Sequence, residues 1–283
     1  MSQPVKKFSK TRSEGTGLVH PTAIVHPEAS LGDGVVVGPY AVIGAYVAIG
    51  ADTTIGAHCV IEGRTTIGAQ CEIFTGAVIG SIPQDLKYQG EQSLLIVGDR
   101  NKVREYVTIN PGTSGGGGKT VIGSDCLLMA YAHVAHDCVI GNHVVIANSA
   151  ALAGHIIVED RVTIGGLVGI HQFVRVGTLA FIGGCSRVAQ DVPPYATCVG
   201  YPAKVFGLNT EGLRRAGIPS EAKRRLHHAF RVLFQSQLSM RHAVEQVAQE
   251  ADRAPELQHL VAFIRASKRG VCRASRHQRA EPA

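Results

Sequence analysis

Val42-Ile43-Gly44-Ala45-Tyr46-Val47-Ala48-Ile49-Gly50-Ala51-Asp52-Thr53-Thr54-Ile55-Gly56 sets an aliphatic side chain at every sixth residue and a glycine after each one. The period extends back through Val37, Leu31 and Val25 to Val19, and forward through Ile61, Ile67 and Ile73 to Ile79. It lapses between Ser81 and Leu95, recovers at Val97, Val103 and Ile109, and is broken again by a Ser/Gly-rich stretch. From Ile122 it restarts one residue out of phase and runs to Val188. Neither an amphipathic helix, with its 3.6-residue period, nor an isolated strand, with its period of two, produces this spacing.

Six residues fit one side of a triangular coil, in which a short strand turns one aliphatic inward and the following corner needs a tight turn that glycine tolerates. Three sides make a coil of 18 residues, and stacked coils form three parallel sheets with a rise of roughly 4.8 Å per coil. The expected fold is therefore a left-handed parallel β-helix of hexapeptide repeats over residues 19–189. Cys59, Cys71, Cys126 and Cys138 each lie four residues after an inward aliphatic, where a second, smaller inward side chain belongs. They read as core filler rather than reactive thiols. With no C-x-x-C pair among seven cysteines, neither a disulfide scaffold nor a zinc site is expected.

Beyond Val188, Asp191-Val192-Pro193-Pro194 is a poor strand continuation, because proline removes backbone donors. Helical spacing follows from Ser220 to Gln237, where Leu226, Phe230, Leu233 and Phe234 share a face, and again in a stretch holding Val244, Val247, Leu257, Leu260 and Phe263. Residues 190–283 thus read as a linker, a C-terminal α-helical domain and a basic tail. This part holds 15 Lys/Arg against 8 Asp/Glu, a balance of +7, while residues 1–189 hold 13 against 14. The positive end suits an acidic protein or a nucleotide phosphate, and without a basic-aromatic platform nucleic acid is not expected. No apolar run approaches the roughly 20 residues of a membrane span, and Met1 to Gly17 lack a secretory apolar core. A cytoplasmic location is expected.

The chemistry-bearing residues gather on one edge of the prism. Ala132-His133-Val134-Ala135-His136-Asp137-Cys138 is followed one coil later by Ala153-Gly154-His155 and two coils later by His171-Gln172-Phe173. A His-x-x-His pair alone is a weak signal; four histidines brought together by an independent register are a strong one. A neutral imidazole can take a hydroxyl proton during attack on a thioester and return one to the departing thiolate. Asp137 can orient it, and the Gly154 N–H can receive an oxyanion. No metal is required. Two interruptions, Pro83 to Gly90 and Pro111 to Lys119, can cover the smooth prism and build a pocket. The glycines at 115–118 lack the context of a Walker phosphate loop.

With these motifs, Gln84-Asp85-Leu86-Lys87-Tyr88, Gly183-Gly184-Cys185-Ser186 and Phe206-Gly207-Leu208-Asn209-Thr210-Glu211-Gly212-Leu213-Arg214-Arg215 make the chain resemble the UDP-N-acetylglucosamine 3-O-acyltransferases that begin lipid A synthesis. The resemblance covers about Val19 to Gly270. It implies His136 as general base, Asp137 as its support and Gly154 as oxyanion donor. It implies Asp85, His133, His155, His171 and Gln172 around the sugar or thioester, with Lys87 on the neighbouring subunit's side of the cleft. Asn209, Glu211 and Arg215 match substrate positions, and Gly184 matches an acyl-chain ruler, implying a donor near C12 to C14. The resemblance further implies a homotrimer, UDP-N-acetylglucosamine as acceptor, and a 3-hydroxyacyl donor on the phosphopantetheine of acyl carrier protein, with no other cofactor. Ala216, Asn110-Pro111 and Tyr201-Pro202 depart from familiar members. Alternatives are N-acylation of a 3-amino sugar nucleotide and the later glucosamine N-acyltransferase of the same fold; the latter normally carries an extra N-terminal domain, whereas the coil here begins near Val19.

Overall fold

The computed structural model describes residues 18–252 and 254–274. Strands mostly two residues long form three sheets of nine, eight and ten strands, and, except for the last strand of the third sheet, each pairs in parallel with its counterpart one coil away. The chain winds through them in turn as a left-handed β-helix. The first face runs from Ile24–Val25 to Arg187–Val188, and the second from Ser30–Leu31 to Arg175–Val176. The third begins at Val36–Val37. The 18-residue coil holds where the hexapeptide register does: Val42 pairs with Val60 and His133 with Ala151. At the two interruptions the separation grows, so that Val78 pairs with Thr108 and Thr108 with His133. Both insertions leave the prism between stacked coils without breaking the ladder.

The register aliphatics form the interior column: Ile43, Ile61, Ile79, Ile109, Val134 and Leu152 are all at most 1% exposed. A β-branched side chain suits this place because it packs on its own counterpart in the adjacent coil. The cysteines fill the corners as expected. Cys59, Cys71, Cys126 and Cys138 donate Sγ–H to carbonyls of the next coil, those of Phe74, Gly98, Gly141 and Ala153. Burial pushes the Cys126 thiol up to about 11 and Cys138 up to about 12, which leaves both without nucleophilic thiolate at neutral pH.

The glycines follow a different logic from the one their position suggests. The left-handed corner conformation is held mostly by other residues, among them Tyr40, His58, Asp137 and His155. Glycine after the inward aliphatic is needed for space: a Cβ on Gly50 would lie 2.6 Å from the Ala69 nitrogen, and one on Gly38 2.9 Å from the Gly56 carbonyl carbon. Close stacking of coils, rather than turn geometry, selects glycine there.

Strand pairing crosses the boundary expected at residue 189. Val192 bridges to Val176, and Ala196–Gly200 adds to the third face before Ala203–Leu208 turns back antiparallel to it. Four helices follow: α1 (Thr210–Arg215), α2 (Ser220–Gln235), α3 (Met240–Gln249) and α4 (Pro255–Arg265). The second expected helical stretch is thus two helices, parted before Pro255, whose ring suits a first helical turn. The Arg225–Glu256 pair, 2.7 Å, ties α2 to α4, and His259 on α4 reaches Glu159 of the β-helix at 2.9 Å. The chain then returns to the prism, where Ser267 bonds Asp191 at 2.7 Å. No helix among the described residues is long and apolar enough to cross a membrane. Met1 to Gly17 and the last part of the basic tail, 275–283, lie outside the described residues.

Candidate active site

The site is built at the edge between the first and second faces. Val134 turns fully inward on its two-residue strand, and the corner that follows exposes successive places to the same surroundings in every coil. The His155 N–H donates to the His136 carbonyl at 3.0 Å, and the Phe173 N–H to the Gly154 carbonyl at 3.3 Å. Asp137, His155 and Phe173 therefore form one column, all with positive φ (59°, 61° and 64°). The His155 and Phe173 rings lie parallel with centroids 4.4 Å apart, and His155 meets His136 edge-on at 5.0 Å.

Asp137 anchors this arrangement. Its side chain is fully buried, with Oδ2 2.7 Å from His136 Nδ1. The Thr113 N–H donates to Oδ1 at 2.9 Å and the Thr113 hydroxyl to Oδ2 at 2.7 Å, while the Asp137 N–H donates to Thr120 Oγ1. A carboxylate can only accept here, so His136 carries its proton on Nδ1 and leaves Nε2 as a free base. Gly116 packs against the same group: a Cβ there would sit 2.0 Å from the carboxyl carbon. The glycine-rich interruption is thus the cradle of Asp137 as well as a surface feature. Sequence reasoning missed Thr113, Thr120 and Gly116, for which hydroxyls flanking an insertion next to the predicted site were the available signal.

His136 itself is buried, and its Nε2 faces Asp85 Oδ2 at 4.0 Å, an acid delivered by the first interruption. After burial and His136, Lys87 of the same loop adds the smallest lowering of the His155 pKa, so its charge acts on the site within this chain. Burial is the main cause holding His155 below the ordinary imidazole value, against the pull of Asp137. Burial, then the neighbouring His136, likewise lowers His133, whose Nδ1 is 2.7 Å from Thr108 Oγ1. Both stay neutral at pH 7 and can exchange hydrogen bonds with an uncharged sugar or thioester.

Gly154 lies against the His136 ring, where a Cβ would approach Cε1 to 2.6 Å and Nε2 to 2.7 Å. The N–H two residues after an inward aliphatic points away from the core in this fold. Elsewhere side chains take it: Asp99 receives Ala69, Asn142 receives Ser124, and Asp160 receives Asn142. The Gly154 N–H has no protein acceptor among the described residues. A free backbone donor beside an imidazole nitrogen is an arrangement that can receive an oxyanion.

On the adjoining first face, a cavity of about 420 Å³ is lined by His133, Ala151, Gly169, His171 and Arg187. His171 bonds the Gln172 carbonyl and stands in the column of Ala135 and Ala153, so the four histidines share one neighbourhood but not one column. Asn209, Glu211 and Arg215 are not brought to His136 within the chain. Asn209 caps α1 and holds the Leu179 carbonyl on the edge between the second and third faces, and Glu211 pairs with Arg214 and Arg215 at 2.7 Å each. Gly184 lies on the remaining edge, above Gly166. His136, Asp137 and His155 place one donor atom each within 4.8 Å of one another, close enough to hold a cation. A metal there would compete with the His136–Asp137 bond that sets the base.

A family model described as UDP N-acetylglucosamine O-acyltransferase, domain 2, matches residues 191–272, and a bacterial transferase hexapeptide model matches residues 119–154. A protein of Myxococcus xanthus named acyl-[acyl-carrier-protein]–UDP-N-acetylglucosamine O-acyltransferase is 51% identical over 255 residues, covering 90% of this chain and 99% of its own. The chain belongs to the UDP-N-acetylglucosamine O-acyltransferase family. A family member of the same name from Anaeromyxobacter is 48% identical over the same coverage. The fold agrees: a solved family structure from Acinetobacter baumannii superposes with a TM-score of 0.88 at 41% identity, covering 90% of this chain and all of that one.

Proposed function

We propose that this protein transfers a 3-hydroxyacyl chain from the phosphopantetheine thioester of acyl carrier protein to the 3-hydroxyl of UDP-N-acetylglucosamine, the first step of lipid A biosynthesis. The carrying observation is the buried His136–Asp137 pair, 2.7 Å apart, set against the open Gly154 N–H. His136 Nε2 removes the sugar hydroxyl proton as that oxygen attacks the thioester carbon. The negative charge moves to the former carbonyl oxygen, where the Gly154 N–H receives it. Asp137 stabilises the imidazolium and keeps the ring in place. When the intermediate collapses, the C–S bond breaks, the ester remains on the sugar, and His136 returns its proton to the thiolate.

Asp85 lies where it can hold the acceptor near Nε2, with His133, His155, His171 and Gln172 lining the approach and Lys87 supplying positive charge. Asn209, Glu211 and Arg215 can serve a nucleotide only across a subunit boundary, because α1 stands on another part of the protomer; this favours a homotrimer with clefts between subunits. The acyl chain takes the first-face cavity lined by Ala151, Gly169 and Ile170, and Gly184, on the edge between the third and first faces, is its ruler. The reaction needs no cofactor beyond the carrier's arm, and both substrates place it in the cytoplasm. Competition between UDP-N-acetylglucosamine and its 3-amino analogue, with a 3-hydroxyacyl carrier donor and mass analysis of the product, tests the assignment. Ester on the 3-hydroxyl is expected. Amide formation with no transfer to the hydroxyl, even when that acceptor is alone, would overturn it.

A further inference from the structure

Both nitrogens of the His136 ring face carboxylates that arrive from different parts of the chain: Asp137 meets Nδ1 at 2.7 Å, and Asp85, on the first interruption, stands 4.0 Å from Nε2. Glu91 lies where these two supports are joined. Its Oε2 accepts the Gln89 N–H at 2.9 Å, and its backbone carbonyl accepts the Tyr88 hydroxyl at 3.1 Å. Tyr88 in turn donates its N–H to the Asp85 carbonyl at 3.0 Å, so the segment that carries Asp85 is folded back onto Glu91. The other carboxylate oxygen, Oε1, crosses to the second interruption and accepts both the N–H and the hydroxyl of Ser114, each at 3.1 Å. Ser114 follows Thr113, whose N–H and hydroxyl grip Asp137 and whose carbonyl accepts the Gly116 and Gly118 N–H groups at 3.1 and 2.8 Å. A run of hydrogen bonds and short backbone links thus leads from Asp85 through Glu91 and Ser114 to Asp137.

We infer that Glu91 is a positioning residue for catalysis: it clasps the two interruptions together and so holds Asp137 against His136 while Asp85 faces the other ring nitrogen. The inference rests on the acyl-transfer reading above. A carboxylate suits this place because it only accepts, and both of its oxygens are met by donors. The Ser114 N–H, then the Gln89 N–H, hold the Glu91 pKa down to about 2, so the clasp stays charged at any pH near neutral. Hydrogen bonds to an ionised acceptor are stronger than neutral ones. Thr113 needs such an anchor, because it sits in an insertion outside the hexapeptide register and next to glycines 115–118, which restrain the backbone little. Release of Ser114 passes directly to Thr113, and from there to the carboxylate that orients the base. Because Glu91 is partly exposed, its loss should change the fold's stability little, which separates positioning from folding.

The test measures kcat and both KM values for the wild type, Glu91→Ala and Glu91→Gln, and for the same two substitutions made in Asp137→Ala, with melting temperature and size exclusion as controls. Glu91→Ala should lower kcat by about tenfold, less than the roughly 100-fold of a full 1 Å misplacement, with KM for the carrier donor within about twofold of the wild type. Glu91→Gln, which offers a neutral oxygen in place of a charged one, should fall between the two and decides the question if Glu91→Ala does not assemble. In Asp137→Ala the same substitutions should change kcat by less than about twofold, because the group through which Glu91 acts is gone. An unchanged kcat in the assembled variants, an equal loss with and without Asp137, or a change confined to KM for the sugar nucleotide would each overturn the proposal. The last of these would reduce Glu91 to a support for Asp85 alone. A wild type that transfers no acyl group from any donor would instead remove the functional reading on which it rests.

Discussion

Gly154→Ala isolates the position of the base from every other feature of the site. Gly154 has no positive φ, so alanine meets no backbone strain, and it keeps the N–H that receives the oxyanion. Its Cβ would lie 2.6 Å from His136 Cε1 and 2.7 Å from Nε2. Ordinary carbon contact requires the ring to retreat by about 0.8 Å or more. Retreat is opposed on the other side by Asp137, fixed by Thr113 and Gly116, so the 2.7 Å His136–Asp137 bond must bend or lengthen. Overpacking of this kind costs about 1–3 kcal/mol of stability. A reacting group misplaced by about 1 Å loses on the order of 100-fold in rate. Thiol release under steady-state conditions, with thermal melting and size exclusion as controls, should therefore show kcat reduced by about two orders of magnitude in a folded protein. Near wild-type kcat in a folded, assembled Gly154→Ala variant would refute the assignment of Nε2 as a base held against this glycine.

Thr113→Val removes one of the hydroxyl bonds to Asp137 and keeps the backbone one; stability should fall by about 1–2 kcal/mol and kcat by about tenfold, with KM little changed, and an unchanged kcat would show that the carboxylate needs no such clamp. Carrier recognition is best probed by reversing exposed Arg224 and Lys268, because Arg225 bridges α2 to α4 and its reversal would damage the fold. KM for the carrier donor should rise more than KM for the sugar nucleotide, and added salt should narrow the gap; equal changes would point to a general defect. His133 and His155 have folded-state pKa values below 6.5, so the unfolded chain binds more protons as pH falls past that value. Their contribution to stability is complete above about pH 6.5 and is lost as pH falls toward their folded values. Melting temperature measured from pH 8 to 5.5 should decline at the acid end, and the two imidazoles should titrate below 6.5 by NMR; a value above it for either would reverse the argument.

The fold was legible because the hexapeptide register is a direct image of the coil: each inward aliphatic, from Val25 to Val188, occupies the strand place its spacing assigns. The juxtaposition of His136 and Gly154 followed from the same arithmetic, which carries one to the other a coil on. What the register could not give was support from outside it. Thr113 reaches Asp137 across 24 residues of sequence, through an insertion whose path no period describes. Nor did the spacing reveal why glycine follows the aliphatics, since the clash that excludes a Cβ comes from the next coil rather than from the local turn. Asn209, Glu211 and Arg215 were singled out by resemblance, and no period of the coil relates them to His136, because they lie beyond the repeat, at α1.

The most direct measurement is kcat/KM for the His136→Ala protein with a 3-hydroxyacyl carrier donor and UDP-N-acetylglucosamine, alongside melting temperature and oligomeric size. A positioned general base is worth about 10²- to 10⁴-fold. The account predicts an intact assembly whose kcat/KM falls by at least about 100-fold, with the wild-type protein yielding the 3-O-acyl ester. A folded, correctly assembled His136→Ala protein that still turns over at close to the wild-type rate would contradict it.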